Sequence, residues 1–192
     1  TMQDPNVPSE TDPLPTETEP VPTQPPVVHV VNTATLMSTG DVLMHMPVIN
    51  SAAQKDGSYD FDYIFRHLAE YSSAADYAMA NLETTLASTT NGYQYSGYPN
   101  FNCPDEIIDG MKDAGFDMIL TANNHSYDTR SAGFHRTMQT ITGKDMAVLG
   151  TKPTAESPNF MIIERNGIRL APPLLFRKIQ FDASAKKITE RA

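Results

Sequence analysis

The sequence contains a single cysteine, Cys103, so no disulfide can form within the chain. It has no apolar run long enough to span a bilayer and no segment that resembles the apolar part of an export signal. Its 14 Lys and Arg side chains are outnumbered by 23 Asp and Glu, and no basic patch indicates a nucleic-acid partner. The chain is therefore either cytosolic or begins after its export signal or membrane anchor.

The amino-terminal part has a different composition from the rest of the chain. Residues 1–26 hold eight of the 15 prolines, five acidic residues and no Lys or Arg. Such a segment buries too little apolar surface to offset the entropy lost on ordering. We expect a disordered, Pro-rich acidic spacer over residues 1–31, a folded domain over 32–171 and an atypical basic tail over 172–192. A spacer of this type favours a domain held away from a membrane or wall, and a merely disordered tail is the alternative.

Short apolar runs alternate with helical spacing from residue 32 onward, which is typical of an α/β fold. The pattern predicts strands over 33–38, 77–81, 116–120 and 146–149, with helices that begin near Asp60, Pro104 and Ser131. Short connections imply right-handed crossovers and a mainly parallel sheet flanked by helices. Asn166-Gly167 is a strong two-residue turn and predicts an antiparallel hairpin, whereas no partner is evident for strands after Pro172-Pro173.

Polar residues follow each of the first three predicted strands. Asp41 comes after the first, Glu83 after the second, and the pair Asn124 and His125 after the third. The carboxyl ends of parallel strands collect functional groups at one edge of a sheet. Carboxylate, amide and imidazole groups are ligands for a hard or borderline metal ion, so the sequence indicates a metal site at this edge.

Each of these residues also has a structural interpretation. Gly40-Asp41 could be a plain turn, and Glu83 could be a solvated residue at the start of a loop. His45 lies either near the site or half buried in a helical turn. Tyrosines in the loop over 84–102 could form a polymer-binding rim or simply cover the domain.

The third cluster has the strongest functional signal. Two adjacent amides, Asn123 and Asn124, exceed what a turn requires, because one Asn already provides left-handed geometry. His125 can protonate or stabilise a leaving oxygen. Asp128 either orients the ring of His125 or caps the helix that follows.

The three junctions together resemble the CapA family of bacterial capsule and poly-γ-glutamate synthesis proteins, within the calcineurin-like metallophosphoesterase superfamily. The resemblance rests on three motifs and covers about residues 33–171. They are Gly40-Asp41-Val42-Leu43-Met44, Asn81-Leu82-Glu83, and Ala122-Asn123-Asn124-His125 with Asp128. It implies a metallophosphatase-like α/β sandwich with a role in making, exporting or anchoring a capsular polymer.

The resemblance also implies roles for individual residues. Asp41, Glu83 and Asn124 would bind divalent ions of the Mn, Fe or Zn type, and His125 and Asp128 would be catalytic in phosphoester hydrolysis. The partners would be the polymer, such as poly-γ-glutamate, or the membrane synthase subunits. The protein would be extracytoplasmic, at the cell surface and anchored to the membrane through a segment outside this chain. A non-catalytic scaffold is the alternative.

The chain departs from the family pattern in its metal ligands and its length. No histidine follows His135, whereas the superfamily supplies further metal-binding histidines from later strands, and Leu43 stands where a histidine often follows the first Asp. Family domains extend well beyond the hairpin at Asn166-Gly167. We therefore expect either a truncated domain with an aberrant tail after Ala171 or a short family member, in which four protein groups hold at best one ion.

Overall fold

The computed structural model describes residues 30–152, 154, 156–157, 160–171, 178–182 and 187–191. The chain divides into two units, Thr1–Val31 and Asn32–Ala192. The predicted spacer lies outside the described residues, apart from its last two positions. The architecture below is that of the second unit.

The central element is a parallel four-stranded sheet in which the strand order follows the chain order, β1-β2-β3-β4. Its strands are β1 Leu36–Val42, β2 Tyr77–Leu82, β3 Met118–Leu120 and β4 Ala147–Leu149. Every residue of β2 is buried, which is typical of a strand covered on both faces. The predicted α/β class with a mainly parallel sheet is confirmed.

Five α-helices are present in the described part of the chain. They are α1 Met46–Ala52, α2 Asp62–Phe65, α3 Ala69–Ala74, α4 Glu106–Asp113 and α5 Arg130–Gly143. In the described residues, no helix has both the length and the apolar character needed to cross a membrane. The helices provide the connections between the parallel strands, as the alternating pattern predicts.

The two faces of the sheet are packed differently. Ala78, Ala80 and Leu82 of β2 face a large core that includes the apolar side of α4. The alternate residues Tyr77 and Met79 join a smaller cluster on the opposite face, which is the second face of the sheet. Because side chains alternate along a strand, one buried strand serves both cores. The functional groups described below lie at the end of the second face.

The second face is covered in part by an antiparallel hairpin of β6 Ile163–Arg165 and β7 Ile168–Leu170. The short strand β5 Thr151–Lys152 precedes this hairpin in the chain. Its turn residues Asn166 and Gly167 have φ values of 54° and 74°. Positive φ at both positions matches a type I′ turn, so the predicted hairpin is confirmed.

The carboxyl-terminal segment differs from the expectation. The sequence indicated no partner for strands after Pro172-Pro173, but β8 Lys178–Asp182 pairs with β5 in parallel and with β9 Lys187–Arg191 in antiparallel fashion. Pairing with β5 requires residues distant along the chain, which local sequence pattern does not reveal.

The helix predicted from Asp60 onward is also interrupted. The Asp60 carboxylate accepts a hydrogen bond from the Asp62 amide at 2.9 Å, as a helix-start residue does. Phe61, Phe65 and Tyr71 recur at helical spacing in the sequence, but Phe61 and Phe65 are buried whereas Tyr71 is 64% exposed. The chain forms α2 and α3 instead of one helix, so only the first part of the apolar stripe reaches the core.

Candidate functional site

A β-bulge in β1 determines where Asp41 lies. Thr39 pairs with Ala80 and Asp41 pairs with Asn81, so Gly40 is the extra residue. Without this extra residue in the ladder, Gly40 would oppose Asn81, and Asp41 would oppose Leu82 on the helix-covered face. The bulge therefore brings Asp41 beside Asn81, at the carboxyl end of the second face.

Two buried amides connect the ends of β1, β2 and β3. Asn81 Nδ2 donates to Asp41 Oδ1 at 2.7 Å and lies 3.4 Å from Glu83 Oε2. Asn123 Nδ2 in turn donates to Asn81 Oδ1 at 3.1 Å and to the Leu82 carbonyl at 2.9 Å. Each amide spans two strand ends, so the positions of the carboxylates are fixed relative to one another.

Asn123 also shapes the loop that carries His125. Its Oδ1 accepts the His125 amide at 3.0 Å and the Ser126 hydroxyl at 3.2 Å. Because its Nδ2 donates to β2, both polar atoms of this side chain are hydrogen-bonded. The exposed fraction of Asn123 is only 7%. Asn123 therefore ties the loop to the neighbouring strand.

The ring of His125 is oriented by Asp128. Its Nδ1 lies 2.8 Å from Asp128 Oδ2, and the same oxygen accepts the Phe101 amide at 2.6 Å. The other ring nitrogen, Nε2, lies 3.9 Å from Glu83 Oε1. Because a carboxylate only accepts, this pairing favours a proton on Nδ1 and turns Nε2 toward Glu83.

The Glu83 carboxyl has a raised pKa. Burial contributes most, since desolvation penalises the charged form, and the negative charge of Asp41 and a hydrogen bond with its carboxyl add to the effect. His125 opposes this shift, whereas Asp128 reinforces it. Ionisable groups whose pKa is shifted by burial and by a neighbouring like charge are concentrated at functional sites.

The loop over residues 84–102 packs against the site. Asn102 organises it, since its amide donates to the Ser88 and Gln94 carbonyls at 3.0 Å each and accepts the Ala87 amide at 2.7 Å. The ring of Phe101, the residue before Asn102, is buried, and its centroid lies 4.6 Å from that of the His125 ring. The loop is therefore ordered by its own hydrogen bonds and forms one wall of the site.

A family model for bacterial capsule synthesis proteins, PGA_cap, matches residues 35–187. The chain belongs to this family. The capsule biosynthesis protein CapA of Bacillus anthracis is 27% identical over 150 residues, which cover 76% of this chain and 36% of that protein. The chain thus spans about a third of the length of this relative. The resemblance to the CapA family inferred from the three junctions is confirmed.

Among the residues expected from the CapA resemblance, four come together. Asp41, Glu83, His125 and Asp128 form one connected cluster. Asn124 is exposed, and its role as a metal ligand stays a prediction.

Sequence reasoning did not single out Asn81, and it placed the ligand role on the second Asn of the pair. A signal was present for Asn81, since a polar residue there continues the buried row of Tyr77 and Met79. The sequence motifs therefore contain both buried amides, Asn81 and Asn123, but the sequence assigned neither of them a role in the site.

The metal ligands expected for this family are carboxylate, amide and imidazole groups. In the part of the chain that the structure describes, no three His, Cys, Asp or Glu side chains are grouped so that they could hold a metal ion. Asn81 Nδ2 presents its N–H to the Asp41 carboxylate at 2.7 Å and lies 3.4 Å from Glu83 Oε2. These groups satisfy one another and do not by themselves fit a metal centre, so the cofactor expectation stays a prediction.

Proposed function

We propose that this chain acts in building a bacterial capsule, through the making, export or anchoring of an outer polymer such as poly-γ-glutamate. Support comes from the family match over residues 35–187 and from the relative in Bacillus anthracis that is described as a capsule biosynthesis protein. The proposed location is the outer cell surface, with anchoring to the membrane through a segment outside this chain. The proposed partners are the polymer itself or the membrane synthase subunits.

Within this role, we propose that the His125 cluster hydrolyses a phosphoester. The observation that carries this proposal is the arrangement of His125 between two carboxyl groups, with Nδ1 on Asp128 and Nε2 toward Glu83. A water oxygen would bond to phosphorus while the phosphorus–oxygen bond to the leaving group breaks. The departing oxygen would take a proton from Nε2 of protonated His125, and the attacking water would return one to the ring.

The proposal is tested by complementation of a strain that lacks the gene for this protein. We expect His125→Ala and Asp128→Ala to lose most of the surface polymer while the protein level stays normal. His67→Ala is the matched control, because His67 is an exposed histidine outside the cluster. Full polymer from the His125→Ala strain would overturn the hydrolytic role.

A non-catalytic scaffold is the second candidate. It is favoured by the incomplete metal-donor set among the described side chains. In that case the His125→Ala protein would still restore the polymer and would still co-purify with the membrane synthase subunits. Loss of polymer with co-purification intact would instead favour hydrolysis.

A further inference from the structure

The position of His45 is fixed although its side chain is exposed. His45 follows β1 and precedes α1, and its carbonyl accepts the amides of Val48 at 2.9 Å and Ile49 at 3.2 Å. A Cβ added to Gly97 would lie 3.0 Å from Met46 N and 3.3 Å from His45 Cα, so the covering loop packs directly on this backbone.

The His45 ring is also linked to the site through one aromatic side chain. Its centroid lies 5.0 Å from that of Phe101, with the planes at 79°. Phe101 is 1% exposed and contacts the His125 ring in the same edge arrangement, at 4.6 Å and 82°. The two imidazoles therefore flank the buried ring of Phe101. The backbone amide of Phe101 donates to the Asp128 carboxylate.

The cluster offers an anionic ligand few hydrogen-bond donors. Asp41, Glu83 and Asp128 all present oxygen acceptors, which repel an oxyanion. His125 has committed its Nδ1 to Asp128, so only Nε2 remains to donate. An exposed imidazole beyond Phe101 adds a donor that no carboxylate of the cluster occupies among the contacts described here.

We propose that His45 is a ligand-contacting residue of this site and that it binds an oxyanion group, phosphoryl or carboxylate, of the ligand that reaches His125. This inference rests on the proposed function and extends its binding surface across Phe101 to the start of α1. His45 would hold the ligand and would take no part in the proton transfers at His125.

The test is an NMR titration of the full chain at fixed pH, following the ring resonances of His45, His125 and His67. Inorganic phosphate and a γ-linked glutamate trimer are the two probes. We expect His45 and His125 to shift together with one dissociation constant, while His67 stays unchanged. The probe that produces the shift identifies the phosphoryl or the carboxylate source.

The outcomes separate the two proposals. If His125 responds and His45 does not, the role of His45 is overturned and the proposed function is unaffected. If neither ring responds to either probe, both proposals are overturned. As a second measurement, His45→Leu should raise the dissociation constant about five-fold, the effect of one lost hydrogen bond, whereas His67→Leu should not change it.

Discussion

The two ends of the parallel sheet both carry carboxylates, but in opposite environments. At the amino end, Asp76 accepts the Thr35 amide at 2.7 Å and the Asn166 amide at 2.9 Å, and these donors lower its pKa. At the carboxyl end, burial and the neighbouring Asp41 raise the pKa of Glu83. Hydrogen-bond donors have the largest effect on the pKa at the amino end, whereas burial and a second carboxylate have the largest effects at the carboxyl end.

The amino end is built as a structural connection. Asp117 accepts the Ala78 amide at 2.8 Å, and Arg165 of the hairpin donates to the Asp76 carbonyl at 2.9 Å. The Arg165 guanidinium also lies 4.8 Å from the centre of the Tyr77 ring. Each acidic group there has a donor, so the end adds stability. Unfavourable charge is concentrated where the ligand is proposed to bind, as expected for a functional site.

The largest expected effect is that of Asn123→Asp at the carboxyl end. The substitution keeps the shape but replaces a donor to Asn81 and Leu82 with a buried carboxylate. We expect a loss of about 3 kcal/mol in the free energy of unfolding, measured by urea denaturation. The exposed neighbour is the control, since Asn124→Asp should change it by less than about 0.5 kcal/mol. Equal losses in both variants would contradict the assignment of the buried amide.

The next effect is that of Asp76→Ala at the amino end. It removes the acceptor for Thr35 and Asn166, so the urea midpoint should fall, though less than for Asn123→Asp. Because the pKa of Asp76 is lowered, its contribution is fully present above the usual Asp range and is lost as pH falls through the folded value. The difference between variant and wild type should therefore shrink in acid. Glu164→Ala on the exposed side of the hairpin is the control.

A smaller effect of opposite sign is expected from Glu83→Gln. A raised pKa means that the folded state binds a proton more tightly than the unfolded state, so stability falls as pH rises from the usual Glu range through the folded value. The variant lacks this ionisation, and its melting temperature should exceed that of wild type at neutral pH but not in acid. A lower melting temperature at neutral pH would show that the Glu83 charge is compensated.

The smallest effect on stability is expected from Asp128→Asn. The amide oxygen can still accept from Phe101, but the strict preference for a proton on His125 Nδ1 is lost. Nitrogen-15 chemical shifts of the ring should show mainly the Nδ1–H tautomer in wild type and a mixture in the variant. Identical tautomer populations would mean that Asp128 does not orient the ring.

Much of the sheet could be predicted because its strands are short apolar runs ended by polar groups. The hairpin could also be predicted, since Asn-Gly readily adopts the positive φ angles that this turn requires, as Asn166 and Gly167 do. The interruption between α2 and α3 could not be predicted, because the spacing of apolar residues from Phe61 to Tyr71 does not reveal where the core ends. Local pattern thus identified the elements better than their limits.

The site was predictable in its members and less so in its connections. Asp41, Glu83 and His125 follow from their places at strand ends. The bulge at Gly40 depends on how β1 pairs with β2, which a single strand does not encode. Whether Asn123 or Asn124 points inward likewise depends on the neighbouring strand.

The order of the strands also has a consequence for how the protein is made. Since β1, β2, β3 and β4 are neighbours in chain order, a chain that emerges amino end first can add each strand to the edge of the previous one without reopening a completed pair. All residues that form the hydrogen-bonded cluster lie between positions 41 and 128, before β4 is synthesised. The cluster can therefore assemble early, and the hairpin closes over the second face afterwards.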